Sequence, residues 1–172
     1  MAIKQLTVYV QNKKGSMAAL TDVLAKNGVN IRALSIADTK DFGILRMITA
    51  NNDKAALALA EAGFISTVTE VIAVCTSDRP GGLAAEIKVL SDADINLEYL
   101  YAFVAKSGEE AYVVLRVDDN AGAEAALKAA GVTLLSGDDI AKIPYLKRLS
   151  NATVNTIKFS ITLSMCINFL AV

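Results

Sequence analysis

Two short stretches of this sequence place glycine and amide side chains where a small carboxylate could be held. One is Asp78-Arg79-Pro80-Gly81-Gly82-Leu83, with Asn96-Leu97 following; the other is Asn12-Lys13-Lys14-Gly15-Ser16-Met17, with Asn30-Ile31 following. In each, glycine stands just ahead of a run whose apolar spacing reads as a helix. Pro80 presets φ for a helix start, and glycine lets backbone approach a ligand closely. The first N–H groups of a helix have no intrahelical acceptor, and with the helix dipole they suit a carboxylate. Asn30 and Asn96 open the next strand, and an Asn side chain offers an acceptor for an ammonium and a donor for a carboxylate. Met17, Ile31, Leu83 and Leu97 add apolar surface for a side chain. Together these are the groups that an amino acid would need. The same glycines also suit plain tight turns, and the same Asn residues suit strand entries that bond their own backbone.

The elements that position these groups come in two copies. Gly15 and Gly81, Leu24 and Leu90, and Asn30 and Asn96 are each 66 positions apart; Arg46 and Arg116 are 70 apart, and Gly63 and Gly131 are 68 apart. The drift marks an old duplication, and the unit is the length of a small domain rather than of a solenoid repeat. Each copy reads strand, helix, strand, strand, helix, strand. In the first, Leu6, Val8 and Val10 alternate with polar neighbours as in a half-buried strand. A helix follows with Ser16 as its N-cap and Met17, Leu20 and Leu24 on one face, ending at Asn27-Gly28. Strands over 31–37 and 42–49 lead to a second helix capped from Asn51-Asn52-Asp53 and stopped at Gly63. In the second copy, Leu83, Ile87 and Leu90 form the helix face. Strands over 97–104 and 111–117 flank a hairpin turn at 106–109, and a helix near 123–130 ends at Gly131. The run from Val68 through Val74 holds no Gly or Pro, which predicts one strand that closes the first copy and opens the second. The βαββαβ order predicts an α+β fold of two ferredoxin-like repeats packed together, antiparallel sheets with helices on one face. Residues 1–70 make the first domain, 71–144 the second, and 145–172 a C-terminal extension outside the repeats.

Composition narrows the function classes. The 172 residues carry 17 basic and 18 acidic side chains, scattered, for a net charge of −1. Without a basic stripe, nucleic acid is not an expected partner. There is no histidine, which removes imidazole as base, proton shuttle or metal ligand. No P-loop, dinucleotide fingerprint, nucleophile elbow or paired-Cys zinc site occurs, so neither catalysis nor a cofactor is expected. Cys75 and Cys166 form no disulfide framework, and the start lacks a signal-peptide pattern, so a cytoplasmic setting is expected. Cys75 reads as a core thiol. Glu109-Glu110, Asp118-Asp119 and Asp138-Asp139 read as solvated turn charges, and Arg46 and Arg116 as partners for carboxylates on the sheet surface.

Asp78-Arg79-Pro80-Gly81-Gly82-Leu83-Ala84 and the later Asp94-Ile95-Asn96-Leu97 resemble the two signatures of ACT domains, small modules that bind amino acids and regulate metabolic enzymes. Asn12-Lys13-Lys14-Gly15-Ser16-Met17 and Gly28-Val29-Asn30-Ile31 stand at the matching places of the first repeat. The resemblance covers roughly residues 3–143. It implies a regulatory protein that binds an amino acid or related small carboxylate, assembles as a homodimer, and acts on a metabolic enzyme or regulator. Asn12 matches an Asn of serine-binding ACT turns, and Asp78 stands at its counterpart. The His of those turns is replaced by Val10 and Thr76, which departs from a serine site. Two alternatives stay open. One is an acyl-phosphate hydrolase of the same topology, with Arg46 and Asn12 holding phosphate; the other is a structural adaptor with vestigial pockets.

The tail follows a different pattern. Ile157, Phe159, Ile161, Leu163, Met165, Ile167 and Phe169 alternate with polar residues at strand period. A membrane anchor is the competing reading, but spanning takes about 20 apolar residues, and Lys158 and Asn168 interrupt the run.

Overall fold

One long strand organises the molecule. The computed structural model describes residues 2–38, 41–103 and 110–142; the hairpin turn at 106–109 and the tail lie outside them. Strand β4 runs Ile65–Ser77, and β1 is Ile3–Gln11, β2 Ile31–Asp38, β3 Phe42–Thr49, β5 Leu97–Phe103, β6 Glu110–Val117 and β7 Thr133–Leu135. The first half of β4 pairs antiparallel with β1, from Tyr9↔Ile65 to Ile3↔Val71. Its second half pairs with β6, from Ile72↔Leu115 to Ser77↔Glu110. Strand β7 pairs with Ala73–Cys75, on the edge opposite β6, because the two registers overlap. The path β2-β3-β1-β4-β6-β5 is therefore one continuous seven-stranded sheet, counting β7. The two βαββαβ units share a strand because nothing in β4 can break it: every residue keeps its ladder N–H and its β-compatible φ.

The helices are α1 (Ser16–Lys26), α2 (Asn52–Glu61), α3 (Gly82–Asp92), α4 (Asn120–Ala129) and a short α5 (Gly137–Lys142). The first four cover one sheet face. Leu6, Val8, Val10 and Leu45 meet Leu20, Leu24 and Leu59 from α1 and α2. Ile72, Val74, Leu115 and Val117 meet Leu90 and Leu127 from α3 and α4. Each such fully buried Leu contributes about 1.5–3 kcal/mol, and a one-residue slip in register would turn the whole set toward the other face.

The opposite face closes on itself. Ile3, Ala33, Ile48, Val71, Ala73, Tyr101, Val114 and Leu135 form a second core there, with Ile140 of α5. The sheet curls until β2 and β5, its two ends, touch. Polar groups inside the curl are matched across the repeats. Gln5 Nε2 donates to Tyr99 Oη (2.8 Å) and Thr7 Oγ1 (3.2 Å), while Tyr101 Oη donates to Gln5 Oε1 (3.0 Å). The Arg46 guanidinium stacks 4.0 Å from the Tyr99 ring centroid. Burial pushes the Tyr101 phenol far above its ordinary range, which keeps it a donor.

Several local expectations change. Gly15, not Ser16, caps α1: it takes φ 88°, and Ser16 becomes the first helical residue. Arg46 meets an aromatic ring rather than a carboxylate, whereas Arg116 pairs with Glu98 (3.4 Å) and donates to Glu70 O (3.0 Å). Asp118 and Asp119 are exposed, as expected, and both also accept backbone hydrogen bonds, Asp119 as the cap of α4. Asp118 Oδ1 accepts from Asn96 N, and Asp119 Oδ1 accepts from Ala121 N and Gly122 N, which moves the start of α4 back to Asn120.

Candidate functional site

The β1–α1 and β4–α3 turns are built alike. Gly15 and Gly81 take φ 88° and 93°, a left-handed conformation in which a Cβ is strained. Ser16 N donates to Lys13 O (3.2 Å) and Gly82 N to Arg79 O (3.0 Å), so both turns close through the same bond. Among the described residues, α1 and α3 show no side-chain cap hydrogen bond at their N-cap glycines. Helices α2 and α4 do: Asn51 accepts from Lys54 N, and Asp119 caps α4. The N–H groups of Met17 and Ala18, and of Leu83 and Ala84, sit in first turns where no carbonyl lies one turn back. Asn12 and Asp78 are exposed at the turns. Met17 packs half-buried against the first helix–sheet core and Leu83 against the second.

Asn30 and Asn96 lie elsewhere. Ala50 N donates to Asn30 O (2.8 Å), which places Asn30 level with Ile3 and Val71. Asp118 N donates to Asn96 O (3.2 Å), at the β6 end that reaches Glu70. Both Asn residues therefore sit near the middle of β4, while the turns lie beyond its opposite ends. Each turn is roughly 20 Å from the Asn of its own repeat. Ile31 and Leu97, next to the Asn residues, are half-buried at core edges. One chain brings Gly15, Ser16 and Met17 together, and Gly81, Gly82 and Leu83 together, but sets neither group against Asn30 or Asn96. Arg46 and Asn12 do not converge either. Arg46 is level with Thr7, five residues down β1 from Asn12, or roughly 17 Å.

The two turns differ underneath. A Cβ at Gly82 would lie 2.2 Å from Ser77 O, so this glycine is required by close packing. Below it are Thr76 and Glu86, which are 4% and 7% exposed. Their equivalents 66 positions earlier are Val10 and Leu20, both in the apolar core. Sequence reasoning passed over Glu86, although aligning the repeats exposes it as a carboxylate in a leucine's place. Burial pushes the Glu86 carboxyl above its ordinary value of 4.5, with the Thr76 hydroxyl pulling the other way. An acid whose folded pKa is raised holds its proton more tightly in the native state. Its effect on stability is absent below the unfolded pKa, grows more unfavourable as pH rises from the unfolded to the folded pKa, and stays at that level above. Glu86→Leu is expected to remove this dependence. The gap in Tm between variant and wild type should widen from pH 4.5 to pH 7.5 in thermal melts, and an equal gap at both would show that Glu86 titrates like a solvated glutamate.

Cys75 sits on the other face of β4 against the second core, and burial, then the Glu110 charge, raises its pKa and keeps it a thiol. Among the described residues no group of His, Cys, Asp and Glu could hold a metal, and no helix is long and apolar enough to cross a membrane. A cavity of about 380 Å³ opens at the foot of the first repeat, among Lys4, Arg32, Ile48, Asn52 and Ile140. Neither glycine turn lines it, nor does Asn30 or Asn96.

Paired glycine turns on a doubled βαββαβ sheet are matched by a family model, the ACT domain pair, over residues 1–144. The chain belongs to the ACT domain-pair family. Such pairs are typically ligand-binding regulatory domains. The ACT pair is similar to protein BT0572 from Bacteroides thetaiotaomicron: 37% identity, TM-score 0.78, covering 83% of this chain and 98% of that one. It shares its fold with the ligand-free regulatory subunit of aspartate kinase from Thermus thermophilus: 18% identity, TM-score 0.57, covering 74% and 90%. Among curated proteins, 51 residues are 45% identical to a probable cadmium-transporting ATPase of Alkalihalophilus pseudofirmus. That match spans 30% of this chain and 7% of the ATPase.

Proposed function

We propose that this ACT pair is an amino-acid-binding regulatory protein, in which the ligand carboxylate sits on the first turn of α1 or α3. The observation that carries this reading is the contrast in capping. The two helices with ordinary side-chain caps follow β3 and β6, while the two opened by left-handed glycine are left uncapped. A carboxylate supplies what those N–H groups and the helix dipole lack. An Asn that reads the ammonium must come from a second chain, since each chain holds its own Asn residues away from its turns. The β2 edge supports the same arrangement: Leu34 and Ile36 are 45% and 50% exposed on a strand at the end of the sheet, which a second copy would cover. Regulation then follows from ligand-linked assembly, or from control of a metabolic enzyme or regulator that recognises the liganded dimer.

The test is calorimetry with the standard amino acids on the full chain and on Asn30→Ala, Asn96→Ala and Gly81→Val. Loss of one hydrogen-bonding group should weaken binding about tenfold. If all three variants stay folded and bind like wild type, the site is misplaced. Light scattering should show a dimer that ligand tightens, and a monomer with full affinity would remove assembly from the mechanism.

A further inference from the structure

We propose that the second repeat carries a polar specificity subsite, formed by Thr76 and Glu86 beneath the Asp78–Gly81 turn, that selects ligands whose side chain bears an O–H or N–H donor. The inference rests on the reading of the turns as amino-acid sites and adds which side chain the second one takes.

Three observations converge. First, Thr76 Oγ1 and Glu86 Oε2 are buried with no hydrogen-bond partner among the described residues. Thr76 stands near enough to favour the ionised form of Glu86 without meeting hydrogen-bond geometry. Buried polar atoms are nearly always matched, and here a carboxylate oxygen that accepts when ionised stands beside a hydroxyl that can accept while it donates, so a donor from a ligand has a place to bond. Second, both groups lie close to the turn. Thr76 Oγ1 is 3.4 Å from the point where a Gly82 Cβ would stand. Glu86 is one helical turn beyond Gly82, and helical side chains lean toward the N-terminus, so its carboxyl points back under that turn. Third, the first repeat has Val10 and Leu20 at these positions, fully within the apolar core. Polar groups here are thus not needed for the fold; the same turn is built over leucine. The two repeats therefore differ in preference: an apolar floor under the Gly15-Ser16 turn, and a hydrogen-bonding floor under the Gly81-Gly82 turn.

The experiment uses the full chain and three near-isosteric ligand pairs: L-threonine against L-valine, L-asparagine against L-leucine, and L-ornithine against L-norleucine. Calorimetry on wild type should show a preference of about tenfold or more for the donor-bearing member of at least one pair, because a buried acceptor left unmatched rejects the aliphatic isostere. The pair that shows it tells a hydroxyl from an amide or an ammonium. The Thr76→Val/Glu86→Leu variant copies the first repeat and should lose that preference while still binding the aliphatic member. The milder Thr76→Val alone should reduce it. A wild type that makes no distinction in any pair, or a folded double variant with unchanged preference, overturns the subsite alone. Absence of binding by any amino acid overturns the subsite together with the reading on which it rests.

Discussion

Gly82→Ala is expected to destabilise the protein by about 3 kcal/mol, and Gly82→Val by more. The added Cβ would stand 2.2 Å from Ser77 O and 3.4 Å from Thr76 Oγ1. The near atom is backbone, at the end of a strand bonded to both β6 and β7, so it cannot swing aside as a side-chain tip would. Gly81, the neighbouring residue, is a different case. A Cβ there meets nothing within 4 Å, but φ is 93°. Gly81→Ala therefore costs only the conformational penalty of the left-handed region, about 1–2 kcal/mol. Urea unfolding of the two alanine variants separates the mechanisms. A smaller loss for Gly82→Ala than for Gly81→Ala would mean that the turn relaxes freely. The distinction bears on function, because packing accounts for Gly82 without any ligand, whereas the conformation at Gly81 and Gly15 leaves α1 and α3 without side-chain caps.

The ACT architecture was legible because its signals are local. Alternation in β1, the glycines after α1, α2 and α4 and the 66-residue offset follow from side-chain period and backbone freedom, which neighbours in sequence determine. The unbroken run that became β4 was legible for the same reason. The caps were harder. Ser16 is a good N-cap by type, but Gly15 alone can take φ 88°, so the cap moved one residue earlier. The arrangement of the site depended on pairing that no local signal encodes. Asn30 and Asn96 lie near the two turns in sequence, yet a helix of 11 residues places turn and Asn at its opposite ends. The Glu86 substitution was visible only by aligning one repeat on the other. Least legible was the polar interior of the curled sheet. Gln5 and Thr7 sit in β1 at positions that alternation marks as solvent-facing, and only closure of β2 onto β5 buries them.

That interior makes a second strong expectation: Gln5→Met should cost about 2–4 kcal/mol. Gln5 is fully buried and bridges the repeats, accepting from Tyr101 and donating to Tyr99 and Thr7. Methionine fills a similar volume, so the loss is of hydrogen bonds rather than of packing. Tyr101 Oη is left buried without its acceptor, and the full desolvation of that hydroxyl is then uncompensated. Tyr101→Phe alone should also be costly, because it strands Gln5 Oε1. Combined with Gln5→Met, however, it removes both partners of the same bond. The double variant should therefore be more stable than the sum of the singles predicts, by about 1–2 kcal/mol. Chemical denaturation of the four proteins closes the cycle, and strict additivity would mean that Gln5 and Tyr101 do not share a bond in solution. The same experiment tests how the repeats are joined. Strand β4 connects them by backbone, while the Gln5–Tyr99–Tyr101 cluster and the Arg46 stack tie β1 and β3 to β5 across the curl, beside the apolar core within it. Opening that contact in Gln5→Met should lower the cooperativity of unfolding, seen as a reduced urea m-value or as two resolved transitions, while the helix-covered cores remain packed.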